Sequence, residues 1–294
     1  MLERTRLLAT VAAAGLVWAC GGGGDAGAGD GGAAPDEGGE TAAPVVDPAT
    51  AGAITGFVAF EGEAPAAERI DMAEEPECND AYPGGGALTQ HALVSSDGRL
   101  GNVFVYVKEG LDSGFPAPSQ PVLLDQEHCR YHPHILGIQV DQPLLIRNSD
   151  PILHNINSQP SLNRGFNISQ PQAGMETTRD FGMAEVMIPV KCDVHGWMNA
   201  YIGVVDNPYF AVSRGDGSFS LPNLPPGNYV VEAWHELFGA QTADVTVGEG
   251  ATAEVSFTFS AGMARNAVVP LGDPLIIKHA DDGSITAVRE RSGD

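Results

Sequence analysis

The segment that most constrains how this chain can fold is Cys192-Asp193-Val194-His195-Gly196-Trp197-Met198, which closes a run of alternating residues. Val186, Ile188, Val190 and Cys192 stand at every second position, so an extended strand puts them on one face, and three apolar members make that face the core side. The thiol is therefore expected to point inward at the buried end of a strand. Packing holds the sulfur while the following turn returns His195 and Met198 towards it. A thiolate, an imidazole and a thioether spaced Cys-x2-His-x2-Met are three of the ligands of a trigonal metal site with a long axial sulfur, and a second imidazole must arrive from elsewhere. His154 is the candidate. It lies in Asn148-Ser149-Asp150-Pro151-Ile152-Leu153-His154-Asn155, a turn-rich stretch just after the strand-like Leu144-Leu145-Ile146-Arg147.

The rest of the chain supplies short strands around these two segments. With 37 Gly and 21 Pro in 294 residues and few long helical patterns, the fold class is read as all-β. Strands are expected at 54–60 and 103–108, then at 122–124, 135–140, 144–147, 176–181, 186–192 and 200–205. Further strands are expected at 209–213, 218–221, 228–234, 242–247 and 252–259, with Asp216-Gly217 as a hairpin turn and Pro225-Pro226-Gly227 as a stop. Lys and Arg total 15 against 38 Asp and Glu, a formal charge of −23 that repels nucleic acid and anionic lipid and favours basic partners.

"NSDPILHN" and "CDVHGWM" resemble the two copper-binding segments of the cupredoxins, with loop spacing similar to the amicyanin-like members, over roughly residues 118–207. The resemblance implies a Greek-key β-sandwich holding one type 1 copper through His154, Cys192 and His195, with Met198 as a weak axial ligand. It further implies that Asn155 hydrogen-bonds the backbone near the cysteine loop; the alternative is a plain turn residue. Trp197, with Ile152 and Leu153, would shield the metal and leave one imidazole edge near solvent as the electron port, although ordinary packing also accounts for Trp197. A site intermediate between the preferences of the two copper oxidation states reorganises little, which suits electron transfer rather than bond-making.

"GDGSFSLPNLPPGNYVVEAW" is similar to the core of the carboxypeptidase regulatory-like modules, small transthyretin-like β-sandwiches. Such modules usually open with strands like "ITGFVAFEG" and "NVFVYVKEG", which here precede the copper segment. The expected organisation is thus a cupredoxin unit at 118–207 inserted into a regulatory-like sandwich drawn from 52–117 and 208–260, with a loosely ordered tail at 261–294. The alternative is an elongated cupredoxin with extra N-terminal strands, followed by a separate module.

Residues 1–20 read as an export signal: Arg4 and Arg6, an apolar run from Leu7 to Ala19, then Cys20. Val17-Trp18-Ala19-Cys20 resembles a lipobox with Trp18 as an unusual occupant, so Cys20 is the candidate lipid anchor; ordinary cleavage after Ala19 is the alternative. Residues 21–51 hold almost nothing to bury and read as a disordered acidic tether. The mature protein is expected in the periplasm or at the cell surface, anchored to a bacterial membrane. Its acidity would steer it towards a basic redox partner protein such as a cytochrome. With Cys20 and Cys192 assigned, Cys78 and Cys129 remain, and an exported chain is expected to bond them; two separately buried thiols are the alternative.

Other signals carry less. His132 and His134 share one side of an extended segment and read as lining a strand edge or a domain junction. Trp234-His235-Glu236 puts its His and Glu on opposite sides of a strand. No nucleophile motif, phosphate-cradling loop or paired carboxylates stand out, so no enzymatic activity is expected. Copper storage, delivery or sensing without turnover is the rival to electron transfer.

Overall fold

The computed structural model describes residues 46–84 and 86–266, and the backbone of two further short strands. In chain order the elements are β1 (Gly52–Glu61), α1 (Pro76–Asp80), β2 (Phe104–Glu109), β3 (Val122–Glu127), β4 (Arg130–His132), β5 (Ile135–Gln139) and β6 (Leu144–Asn148). There follow β7 (His154–Ser158), β8 (Asn167–Gln170), β9 (Met175–Arg179), β10 (Glu185–Lys191), β11 (Asn199–Val205) and β12 (Phe210–Val212). Last come β13 (Ser218–Leu224), β14 (Gly227–His235), β15 (Gly239–Val247), β16 (Thr252–Ser260), β17 (Ile276–His279) and β18 (Ile285–Val288). The export signal with Cys20, most of the 21–51 tether and most of the 261–294 tail lie outside the described residues.

Four sheets stack around three apolar layers. The three-stranded sheet β13-β1-β16 faces the four-stranded sheet β12-β2-β14-β15 across a core that includes Ile54, Val58, Val105, Leu221, Val231 and Phe259. Both of these sheets combine strands from before β3 with strands from after β11. The five-stranded sheet β5-β11-β10-β7-β8 faces β4-β3-β6-β9 across a second core, with Leu124, Ile138, Ile146, Ile188, Val190 and Ile202. Between the two sandwiches lies a third layer built on Phe104, Tyr106, Ile135, Tyr201 and Val205. The period of two explains how one strand serves two layers: along β2, Val105 and Val107 enter the first core while Phe104 and Tyr106 enter the junction. Likewise Ala200, Ile202 and Val204 of β11 enter the second core and Tyr201 and Val205 the junction.

Two glycines set the depth of the junction. Gly137 and Gly203 are register partners on β5 and β11, and a Cβ at Gly203 would come 2.6 Å from the Phe104 ring, one at Gly137 2.4 Å from the Phe210 ring. A Gly203→Ala variant is therefore expected to lose about 1–3 kcal/mol through overpacking. Urea unfolding measures this, with the packing around Cys192 unchanged because residue 203 faces away from the second core.

The alternation expected for 186–192 holds only in part. The β10–β11 register shifts between Glu185 and Ile188, and a bulge of this kind re-aims the residues at its start. Val186 consequently packs at the junction, whereas Ile188, Val190 and Cys192 line the second core.

Residues 66–93, weakly patterned in sequence, form a cover over one end of the second sandwich. Met72, Cys78 and Ala87 complete its core, and Cys78 of α1 is disulfide-bonded to Cys129 in the β3–β4 turn, with their Cα atoms 5.5 Å apart.

Candidate metal centre

Asn148 shapes the loop that presents His154. Its side-chain amide donates to the carbonyls of Ile152 (2.9 Å) and Gln170 (2.8 Å), and its Oδ1 accepts from the backbone of Asp150 (3.0 Å). Asp150 is thereby placed so that one carboxylate meets three donors: the backbone N–H groups of His128 and Cys129, both at 2.7 Å, and His154 Nε2 at 2.8 Å. His128 and Cys129 both have positive φ, 53° and 55°, a costly conformation for residues with a Cβ. Asp150 bonds both of their N–H groups and so helps hold the turn that carries the disulfide. Burial raises the Asp150 pKa, but His154 and the two backbone donors outweigh it and hold the carboxyl below its usual range.

His154 Nε2–H donates to Asp150, which orients the ring and turns Nδ1 towards the cysteine loop. That Nδ1 lies 2.9 Å from Nδ1 of His195, which in turn lies 3.9 Å from Cys192 Sγ. His154, Cys192 and His195 are all buried, and their ligand atoms lie within 4.8 Å of one another. Around a common metal at about 2.0 Å from nitrogen and 2.3 Å from sulfur, two nitrogens and a sulfur stand roughly 3–4 Å apart, so this donor set fits. Burial pushes the Cys192 thiol up, but the imidazoles of His154 and His195 and the backbone of Asn155 and His195 bring it down to about 6. The sulfur is thus prepared as a thiolate, the form that binds metal.

The cysteine loop is closed by its own backbone. Cys192 N–H donates to Met198 O (3.0 Å) and Met198 N–H to His195 O (2.9 Å). Met198 is buried in the same core as Cys192. Asn155 Oδ1 accepts from Asp193 N–H at 2.7 Å and lies 3.2 Å from Cys192 Sγ. The Asp193 carboxylate accepts in turn from the side chains of Asn155, Asn157 and Asn167, clamping the loop to β7 and β8.

A second convergent group, Cys129 with Asp150 and His154, offers no thiolate because Cys129 is in the disulfide. His134 turns away to Glu236, and His132 Nε2 is buried without a partner among the described residues.

One expectation is corrected. Neither imidazole presents an edge at the surface: His154 is 0% and His195 1% exposed. The cover is responsible, since Glu75 just before α1 comes 3.9 Å from His195 Nε2. Trp197 packs on the His195 ring with centroids 5.2 Å apart, and its Nε1–H donates to Cys129 O. Asp150 and Asn148 were not singled out from sequence, although the Asn-x-Asp-Pro turn four residues before His154 was the available signal. Nothing in the weakly patterned 66–93 pointed to Glu75.

The fold and site thus define an all-β protein of two stacked sandwiches, one of which buries a cluster of one cysteine and two histidines. Residues 198–260 match the family model of the carboxypeptidase regulatory-like domain, a stretch that begins at β11 of the metal-centre sandwich and runs through β16. No curated protein is similar to the chain at a significant level. Its structural neighbours include cupredoxins and a copper enzyme. A Cu-containing nitrite reductase from Thermus scotoductus SA-01 is 17% identical with a TM-score of 0.27, over 34% of this chain and 26% of that one. An oxidised amicyanin carrying a single proline-to-glycine substitution is 13% identical with a TM-score of 0.26, over 34% of this chain and 97% of that one. A purple cupredoxin from Nitrosopumilus maritimus is 20% identical with a TM-score of 0.25, over 29% of this chain and 97% of that one.

Proposed function

We propose that the protein is an exported, lipid-anchored mononuclear copper protein that passes single electrons between redox partners and catalyses no reaction of its own. The observation that carries the reading is the buried sulfur of Cys192 with two imidazole Nδ1 atoms converging on its side of the loop. Thiolate plus two imidazoles with an available thioether is the donor set of a type 1 copper site. His154, Cys192 and His195 would hold the ion and Met198 would supply the weak axial sulfur; bound there, copper supplies a one-electron couple.

The chain's own residues favour rigidity over turnover. Asp150 fixes the His154 ring, Asn155 and Asp193 clamp the loop, and the cover with Trp197 excludes water. Because His195 is buried, contact with a partner falls to Trp197, stacked on it and partly exposed. Beside Trp197 lie Val194, Asp71, Glu74 and Glu75 around a pocket of about 230 Å³, and this acidic rim together with the formal charge of −23 favours a basic partner. We assign the region 118–207 to the copper unit, inserted in the regulatory-like sandwich.

The test is a visible spectrum of the protein loaded with Cu(II), beside Cys192→Ser. An intense thiolate-to-copper charge-transfer band is expected in the parent and none in the variant. Colourless binding, or equal binding by the variant, would remove Cys192 from the ligands and bring copper storage or delivery to the front.

A further inference from the structure

Besides the acidic pocket, Trp197 borders a second one of about 220 Å³, walled by the cover, β4 and the cysteine loop. Its polar lining is of opposite character: Arg130, His91, His134, Thr89 and Gln90, with Trp197 as an apolar wall. Among the described residues no Asp or Glu lines it, in a chain with 38 acidic residues and 15 Lys and Arg.

Arg130 is the unexplained group. It is only 9% exposed, and among the described residues its guanidinium makes one hydrogen bond, from Nη2 to the carbonyl of Leu88, and no ion pair. A guanidinium has five N–H donors in a planar fork, and a buried charge without a counter-charge is costly. The Glu236 carboxylate is paired elsewhere, its Oε1 accepting from His134 Nε2 at 2.5 Å and its Oε2 from His91 Nδ1 at 3.0 Å. Gln90 has no side-chain hydrogen bond among the described residues. Thr89 Oγ1 accepts from Glu68 N–H at 3.0 Å and keeps its own O–H to donate.

The geometry points to a binding site for a small organic carboxylate, of the size of acetate to succinate, seated on the Arg130 fork between Thr89, Gln90 and Trp197. A carboxylate accepts two parallel N–H bonds from a guanidinium, and the ligand would neutralise a buried cation that the described residues leave unpaired. The site lies against Gly196 to Asn199, the segment that contains Met198, yet it requires no metal. It stands or falls apart from the copper reading.

The experiment is isothermal titration of the full chain, metal-free and copper-loaded, with acetate, succinate and inorganic phosphate at constant ionic strength in chloride. One saturable carboxylate site in both forms is expected, weakened roughly tenfold to a hundredfold by Arg130→Gln. Should that variant fail to fold, Gln90→Glu serves: its carboxylate would pair with Arg130, abolish binding and leave a cooperative thermal transition. Absence of carboxylate binding in the parent overturns the proposal. So do undiminished binding by a folded Arg130→Gln or, in its place, by Gln90→Glu, and uptake of phosphate in preference to both carboxylates.

Discussion

Replacing Glu236 with alanine is expected to cost about 3–5 kcal/mol, the range for removing one partner of a buried, hydrogen-bonded charged pair. Glu236 follows the last residue of β14, and its carboxylate, 3% exposed, is gripped by His134 of the other sandwich, 5% exposed, and by His91 of the cover. The substitution thus strips His134 Nε2 of its partner inside the junction. Since the His91 side chain is 36% exposed, His91→Ala is expected to cost less than about 1 kcal/mol. Urea unfolding of the two variants measures the contrast.

The same clasp has a pH signature. Burial alone would raise the Glu236 pKa, but His134 and His91 outweigh it and hold the carboxyl at about 2. A carboxylate depressed on folding adds stability above its unfolded pKa and loses it as pH falls through its folded value. The His91 pKa is raised, chiefly by its hydrogen bond to Glu236, so its share is present below the ordinary histidine value and lost as pH rises through the raised one. The stability difference between parent and Glu236→Gln should therefore be largest near pH 5–6, shrinking in acid towards pH 2 and more mildly in base. Burial pushes His235 down to about 4 while the Glu236 carboxylate opposes it, so losing that charge adds to the variant's deficit in mild acid.

Loss of the Cys78–Cys129 bond is the second large effect. The bond joins residues 51 apart, and in the chain-entropy account closing a loop of that length is worth about 4 kcal/mol. Cys78 and Cys129 are 0% and 2% exposed, so a Cys78→Ala/Cys129→Ala double variant removes the cross-link without burying a new polar group. Beyond the stability loss, the cover should loosen where Glu75 approaches His195. In metal-free protein, His195 is then expected to react with an imidazole-modifying reagent that leaves it untouched in the parent, as mapped by mass spectrometry. Equal protection in both proteins would mean that Trp197 and the core contacts of Met72 and Ala87 suffice to hold the cover.

Much of the site could be read from local spacing. A period of two fixes the faces of a strand, so Ile188, Val190 and Cys192 were visible as one buried row, and the three-residue steps from Cys192 to His195 and Met198 define a turn before any tertiary contact is known. The Gly and Pro punctuation made the all-β class legible for the same reason: it acts on a few neighbouring dihedrals. Val186 escaped because a bulge depends on how β10 pairs with β11. The cover escaped because residues 66–93 are held by a disulfide, a buried Met72 and a hydrogen bond from Arg130, none of which has a local period. Glu236 looked idle beside His235 because strand alternation says only which face a side chain takes, not that His134, 102 residues away, waits there. The sequence by itself determined which residues could bind metal and which face of each strand was apolar, since both follow from covalent spacing. Only the tertiary structure decided that the cluster of Cys192, His154 and His195 is sealed and that Arg130 lines a cavity with no counter-charge among the described residues, because burial and charge pairing are properties of chain segments brought together from far apart.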